Sequence, residues 1–230
     1  FRGADGWMLV GANPVVSKSI GAPPHNPAGA LHDAVKGGMQ LIVIDPRRTE
    51  AARLATVHLQ CRPGEDPTVM AGLMRAILRD DLHDQAFVRE HASGLDALRQ
   101  AVEAFSPEYV ERRADVPREL LLRAARIFAT SRQGFAVVGT GPNMAPRGTL
   151  TEYLTLCLNT LCGRWLRAGE SLPNPGVLTP AARPTAEPIA PTRAWGFGER
   201  LRVRGLTNTA AGLPTAALAD EILLDGSGQV

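Results

Sequence analysis

The 230-residue chain has an ordinary globular composition, with 44% hydrophobic and 21% charged residues, which excludes a disordered, collagen-like or coiled-coil protein. Its 25 Lys and Arg against 23 Asp and Glu leave a net charge of +2. No basic run concentrates this charge, so nucleic acid and membrane surfaces are not expected as partners. The longest apolar stretches, such as 41–44 and 135–138, are far shorter than the roughly 20 residues of a spanning helix, so we expect no membrane insertion by this segment.

The three cysteines, Cys61, Cys157 and Cys162, form no CxxC motif and have no His-rich segment near them. They are expected to be buried free thiols, since neither a disulfide framework nor a zinc site is indicated. The chain starts at Phe1 without a methionine, and we expect it to be a piece of a longer protein. The cytoplasm is favoured as its location, with export left open because signal peptides lie at true N-termini.

Short apolar runs alternate with helical stretches in the first 61 residues. Strands are predicted at 7–11, 40–44 and 57–61, with helices at 28–36 and 49–55 between them. Strand-helix-strand units of this length imply parallel strands. The sequence therefore predicts an α/β fold: a doubly wound, mostly parallel sheet with helices on both faces, forming a Rossmann-like domain of a larger enzyme.

A helical block, one more strand and a long helix follow. Asp66 is predicted to cap the first of these helices, because Pro67 suits the first helical position. The remaining predicted elements are helices at 66–78, 84–91, 95–105, after 106 and 118–129, a strand at 135–138 and a helix at 149–162.

The chain changes character after 163. We expect a Rossmann-like domain over 1–163, then an irregular, proline-rich extension over 164–214, and the truncated start of the next α/β unit at 215–230. Compact domains rarely contain fifty irregular residues, so the extension is expected to line or brace neighbouring domains.

The loops that follow the strands are the candidate ligand site, because ligands of doubly wound sheets bind beyond the carboxyl ends of the strands. Glycines such as Gly11 and those of 139–141 allow a diphosphate to approach the main chain, and loop N–H groups favour anions. Asp45 stands at a position comparable to the ribose-binding acid of dinucleotide folds. Asp66, in the loop with Gly64, can accept N–H groups of a guanine edge. Together these residues indicate a nucleotide-containing cofactor.

Simpler interpretations stay open for the same residues. Asp66 can be only a helix cap, Arg47 a solvated surface charge, and Gly139 and Gly141 ordinary turn residues. The sequence also has no G-x-G-x-x-G after its first strand and no G-x-x-x-x-G-K-[ST], so NAD(P) and P-loop sites lose their main support. The residues by themselves lead to an anion or dinucleotide binder and no further.

Eight short motifs follow one another along the chain. They are LVGANP at 9–14, LIVIDPRRTEAA at 41–52, PGED at 63–66, DQAFV at 84–88, SPE at 106–108, AARIFA at 124–129, GTG at 139–141 and CG at 162–163. In order and spacing, over about residues 5–178, they resemble the central segment of the molybdopterin oxidoreductases, the dimethyl-sulfoxide-reductase superfamily.

The resemblance implies a bis(molybdopterin guanine dinucleotide) cofactor with molybdenum or tungsten. In such enzymes the metal and its dithiolenes carry the redox chemistry, while the protein supplies binding and electrostatics. The implied cofactor-binding residues are Gly11 and Asn13 at the diphosphate, Asp45 at the guanosine ribose, Arg47 beside it, Gly64 and Asp66 at the guanine, and Gly139, Gly141 and Met144 towards the pterin.

The implied activity is two-electron or oxygen-atom transfer on a small substrate, with an electron-transfer protein or subunit as partner. Relatives carry a 4Fe-4S motif and a Ser, Cys or selenocysteine metal ligand upstream of this segment. Neither falls within the chain, so no catalytic residue and no metal ligand is assigned. The 230 residues alone are expected to be inactive.

The chain departs from the family pattern at three places. Thr56 replaces the usual Asp after the "ETAxxA" segment, and Glu65 replaces the Thr of the "PGTD" loop. Residues 169–176 read GESLPNPG, whereas formate-dehydrogenase-like relatives have an Arg-Gly-Gln-Asn stretch. This difference argues against formate as the substrate.

Two other functions share the expected fold. A cofactor-free scaffold, such as the large iron–sulfur subunit of respiratory complex I, is disfavoured by the retained polar residues Asn13, Asp45, Arg47 and Asp66. The central domain of a thiamine-diphosphate enzyme requires a distant acidic cofactor motif that this segment lacks.

Overall fold

The computed structural model describes residues 3–18, 20–23, 25–170, 195–209 and 212–226. The chain divides into two units, Phe1–Glu170 and Ser171–Val230. Residues 171–194 lie outside the described residues, and with them most of the segment on which the argument against formate rests.

A four-stranded parallel sheet forms the centre of the first unit. Its strands are β1 (Gly6–Val10), β2 (Gln40–Ile44), β3 (Val57–Leu59) and β4 (Gly134–Val138), and their order in the sheet is β3-β2-β1-β4. After β1 the chain adds β2 and then β3 on one side of β1, and it later returns to add β4 on the other side of β1. This reversal between β1 and β4 confirms the predicted doubly wound fold.

Alternate strand residues face two separate hydrophobic cores. Met8, Ile42 and their like-facing neighbours pack into one core, whereas Trp7 and Leu41 pack into the other. The smaller core is covered by α1 (Pro14–Ser17), α2 (Pro27–Lys36) and α3 (Glu50–Leu54). The larger core is covered by α4 (Asp66–Arg79), α5 (Gln85–His91), α6 (Leu95–Val102), α7 (Pro107–Ala114), α8 (Arg118–Thr130) and, after the short α9 (Thr140–Asn143), α10 (Gly148–Leu161). Both faces of the sheet are therefore buried, as its nearly all-apolar strands require.

Three helices begin at side-chain caps that the sequence itself indicates. The side chain of Thr49 accepts a hydrogen bond from the N–H of Ala52, and Asp84 and Ser106 make the equivalent bond three residues ahead. Each cap satisfies an N–H group that has no partner within its helix. These local signals place the starts of α3, α5 and α7.

The outer edge of β4 is capped by a side chain. The amide of Asn159 in α10 accepts a hydrogen bond from the N–H of Ala136 at 2.8 Å and donates one to the Ala136 carbonyl at 2.9 Å. Asn159 thus replaces one residue of a neighbouring strand at a buried position. This pairing accounts for the buried amide on the inner face of α10.

Replacing Asn159 with alanine is expected to lower the free energy of unfolding by roughly 2–4 kcal/mol, because two buried main-chain groups lose their partners. Urea denaturation of the whole protein measures the change. The control is Asn143→Ala, whose side chain bonds Glu152 at an exposed position and should cost less than about 0.5 kcal/mol. Equal losses in both variants would contradict this role of Asn159.

The second unit contains two short antiparallel strands, β5 (Trp195–Arg200) and β6 (Thr207–Thr209). A 3₁₀ turn at Thr215–Ala217 and α11 (Leu218–Leu223) follow. Both strands lie within the segment 164–214 that was predicted to be irregular, and the chain divides into its two units after Glu170. Glycines inside β5 weaken the usual strand pattern, so the sequence gives little signal for it. The division into a domain over 1–163, an extension over 164–214 and a further unit at 215–230 stays a prediction. Within the described ranges, no helix has the length and apolar content that a membrane span requires.

Candidate functional site

The segments that follow the four parallel strands lie at one edge of the sheet, and all nine predicted site residues belong to them. Asp66 is the first residue of α4, Gly141 lies in α9, and the other seven lie in loops. The main chains of the β1 and β4 loops touch. The N–H of Gly139 donates to the carbonyl of Val10 at 2.8 Å, and a Cβ atom at Gly139 would lie 2.2 Å from the Gly11 carbonyl oxygen. Gly11 has a φ of +57°, and a side chain there would collide with Pro142. Glycine is therefore required at both positions for packing.

The loop after β1 offers unpaired main-chain donors. Within the described residues, the N–H groups of Ala12 and Asn13 have no hydrogen-bond acceptor. The Asn13 side chain donates to Glu50 at 2.7 Å, while its buried Oδ1 has no described partner. Since Glu50 holds one of the two N–H groups of the amide, the main-chain N–H groups of Ala12 and Asn13 are the free donors of this loop that best suit an anion. The sequence analysis missed Glu50, which comes next to Asn13 only in the folded chain.

Asp45, at the end of β2, is 7% exposed, and its carboxylate accepts a hydrogen bond from the N–H of Arg47 at 2.8 Å. Two side chains beyond those predicted hold this loop. His58 Nε2 bonds the Asp45 carbonyl at 2.9 Å, and the Gln60 amide donates to the Pro46 carbonyl at 2.9 Å. His58 lies in β3 and Gln60 directly after it, and this spacing of two, which places side chains of an extended segment on one face, is the sequence signal for their role.

Asp66 does not cap α4, which corrects the predicted helix start. The helix begins at Asp66 itself, Glu65 is the residue before it, and no side chain caps the first turn. Asp66 is only 5% exposed. The thiol of Cys61 lies 4.0 Å from its Oδ1 as a weak donor. A carboxylate that is buried at a helix start without acting as the cap is available to a ligand.

The electrostatics around Asp66 are unfavourable for its charge. Burial, together with the negative charges of Asp45 and Glu65, raises the pKa of Asp66 above its usual range. Burial and the charge of Asp66 also raise the pKa of the Cys61 thiol to about 12, so this thiol stays protonated at neutral pH. In the part of the chain that the structure describes, no cationic side chain pairs with Asp45 or Asp66. Two buried acids therefore face the sheet edge with vacant acceptor positions.

Glu65, the departure from the family loop, points away from Asp66. Its Oε1 lies 2.9 Å from Arg113 and 3.4 Å from Arg147, and its Oε2 accepts a hydrogen bond from Thr68 at 2.6 Å. Burial alone raises the pKa of Glu65, but these hydrogen bonds and the two guanidinium charges outweigh it and hold the pKa below its usual range. Thr56, the other departure, accepts a hydrogen bond from the N–H of Leu41.

The remaining predicted residues are more exposed. Gly64 has a φ of +84° with open space where a side chain would stand. Arg47 and Gly141 are exposed, and Met144 is 81% exposed. Among the described residues, no group of His, Cys, Asp and Glu side chains is arranged to hold a metal ion. The site thus divides into a buried acidic part after β2 and β3 and an open part after β4.

The chain matches no protein-family model, but it has clear relatives. It is 31% identical over 136 residues to the probable oxidoreductase YoaE of Bacillus subtilis, covering 59% of this chain and 20% of that protein. It is 29% identical over 156 residues to formate dehydrogenase H of Escherichia coli, covering 68% of this chain and 21% of that protein. The solved structure of acetylene hydratase from Pelobacter acetylenicus matches with a TM-score of 0.63 at 23% identity, covering 71% of this chain and 22% of that one.

The chain spans about a fifth of the length of the curated relatives it matches. The structural match concerns the fold alone.

Proposed function

Because the chain is homologous to one segment of the molybdopterin oxidoreductases, the dimethyl-sulfoxide-reductase superfamily, we propose that it binds the guanosine end of a bis(molybdopterin guanine dinucleotide) cofactor. The observation that carries this proposal is the pair of buried acids, Asp45 and Asp66, which follow neighbouring strands and have no described cationic partner. Buried carboxylates without a cation require hydrogen-bond donors. A guanosine supplies donors of the right kind to both.

In this proposal the hydrogen-bond donors of guanosine are divided between the two acids. Asp66 accepts from the N1–H and 2-amino groups of guanine, and the open space where a side chain of residue 64 would stand lets the base approach Gly64. Asp45 accepts from the ribose hydroxyls. The free N–H groups of Ala12 and Asn13 receive the diphosphate, with Gly11 and Asn13 shaping that loop.

The open part of the site, with Gly139, Gly141 and Met144, faces the pterin side in this proposal. Arg47 is an exposed polar contact beside the ribose. The bound cofactor supplies the metal and dithiolenes for redox chemistry. The residues of this chain bind and orient it, and the metal ligand lies elsewhere in the protein.

For the whole protein we propose two-electron or oxygen-atom transfer on a small substrate. An electron-transfer partner and a 4Fe-4S cluster outside this chain complete the proposal. Its support is the set of redox enzymes among the relatives, which include formate dehydrogenases and nitrate reductases.

Acid release of nucleotide from the whole protein tests the proposal. GMP is quantified by chromatography and molybdenum and tungsten by elemental analysis on the same sample. About two GMP per metal atom is the expected result for a bis-dinucleotide cofactor. Matured protein that contains neither GMP nor metal would overturn the proposal and favour the cofactor-free scaffold.

A further inference from the structure

Arg147 joins two loops of the sheet edge that the sequence places far apart. It is the last residue before α10, at the end of the segment 139–147 that follows β4. Its guanidinium donates to the carbonyl of Gly64 at 2.9 Å and lies 3.4 Å from the carboxylate of Glu65. The loop after β3 and the loop after β4 are therefore connected by one side chain.

Two residues other than Arg147 hold the Glu65 carboxylate in place. Its side chain is 11% exposed, and Arg113 of α7 lies on the same oxygen that faces Arg147. Thr68 donates to the other oxygen. Because both oxygens are bonded, the carboxylate has a single well-defined position towards which Arg147 can be fixed.

The loop around Gly64 is closed by a bond from the N–H of Glu65 to the Arg62 carbonyl at 3.1 Å, and Gly64 itself has few other contacts. No atom lies within 4 Å of the position that a Gly64 side chain would take. The N–H of Arg62 is bonded to the carbonyl of Ala114 in α7, but the Gly64 carbonyl has Arg147 as its described partner. Loss of Arg147 should therefore loosen the stretch directly before Asp66.

We propose that Glu65 and Arg147 are positioning residues that order the guanosine-binding loop (63–66) and the segment 139–147 together. This inference rests on the proposed function, in which these two segments contact opposite ends of one dinucleotide. Binding of the guanosine to the loop 63–66 then also restricts the segment 139–147 on the pterin side. Because coupling is reciprocal, contact of the pterin side with 139–147 restricts the loop 63–66 in the same way. Threonine at position 65, the usual family residue, cannot make this ionic contact.

The test uses the whole protein with Arg147→Gln, Glu65→Thr and the double variant. We expect each single variant to release the guanine-containing cofactor roughly 3- to 10-fold faster, a modest effect because Arg147 is half-exposed. The effect of the double variant should be smaller than the product of the two single effects, since both single variants remove the contact between Arg147 and Glu65. In the cofactor-free form, these variants should show faster amide hydrogen exchange within 139–147 than the wild-type protein does.

Arg75→Gln is the matched control. Arg75 also bonds a carbonyl and a carboxylate, both of Glu103, at 2.8 and 2.9 Å, but it lies in the middle of α4 away from the site. The Arg75→Gln variant should leave cofactor release and hydrogen exchange within 139–147 unchanged. If the role of Arg147 were purely structural, Arg75→Gln and Arg147→Gln would have the same effect on both measurements.

Two results separate this inference from the proposed function. If wild-type protein holds the cofactor and both single variants release it at the wild-type rate, the positioning role is wrong while the proposed function stands. If wild-type protein holds no guanine nucleotide, the proposed function fails. In that case the exchange measurement still decides whether Arg147 couples the two segments, and unchanged exchange overturns the coupling.

Discussion

Replacing Asp66 with asparagine is expected to speed the loss of guanine nucleotide from the whole protein by roughly 10- to 100-fold. This corresponds to the ~1.5–3 kcal/mol of a hydrogen bond to a charged group. Asparagine has nearly the same shape, but it presents one acceptor and one donor to a guanine edge that offers only donors there. Nucleotide retained after timed gel filtration measures the effect.

The same substitution is expected to make the cofactor-free protein more stable at neutral pH. Burial and the charges of Asp45 and Glu65 raise the pKa of Asp66, so the folded state carries an unfavourable ionised group. Removing such a group commonly adds ~0.5–2 kcal/mol. Binding and stability should therefore change in opposite directions, which is typical of a residue retained for its ligand.

The pH dependence has a definite sign. A carboxyl whose pKa is raised by folding favours the folded state at low pH, where it is protonated, and loses that contribution as the pH rises through the folded-state pKa. The stability advantage of Asp66→Asn should be present at pH 7 and disappear below the ordinary range of aspartate. Melting temperatures measured across this range test it.

Asp33→Asn, at an exposed position in α2, is the control and should change neither nucleotide retention nor stability. Wild-type retention in Asp66→Asn would show that Asp66 does not bind the base.

Gly139→Ala is expected to lower the free energy of unfolding by roughly 3–5 kcal/mol. The added Cβ would lie 2.2 Å from the Gly11 carbonyl oxygen and 2.7 Å from the Ala12 Cα. Both are main-chain atoms at the end of β1, so no side-chain rotation can relieve the overlap. The carboxyl ends of β1 and β4 must separate, and the bond between Gly139 and Val10 is lost.

Gly141→Ala, two residues along, is the matched control. A Cβ there would meet only the Gly11 carbonyl oxygen, at 4.0 Å. This variant should change stability by less than about 1 kcal/mol, in the stabilising direction, because alanine restricts the unfolded chain. Denaturant unfolding of both variants measures the two changes in the free energy of unfolding. Similar decreases at the two positions would rule out crowding between the ends of β1 and β4 as the cause.

Local sequence was sufficient for most of the fold. Continuous apolar runs such as Leu41–Ile44 identified the strands of a sheet buried on both faces, and caps such as Thr49 and Ser106 placed helix starts. Both signals act over a few residues, so they can be recognised without the rest of the molecule. The predicted order of strands and helices followed from them, and the sheet order confirms the fold class.

The site could be predicted only in outline. Because the strands predicted in the first unit are parallel, the loops after them had to meet at one edge, which is how Gly11, Asp45, Asp66 and Gly139 were selected. Their roles towards a cofactor stay predictions. Residues that hold these loops from a distance, such as Arg147, could not be selected, since their partners are far away in the sequence.

The order of the elements and the edge of the sheet that holds the candidate site follow from the sequence patterns alone, because helix and strand patterns depend on near neighbours. The folded chain is needed to see that Asp66 begins α4 as a buried acid with no cationic partner among the described residues, that Asn159 completes the edge of β4, and that Glu65 faces two arginines. Burial and charge pairing join residues as distant as Glu65 and Arg147, which are 82 positions apart, and such contacts leave no periodic signal in the sequence.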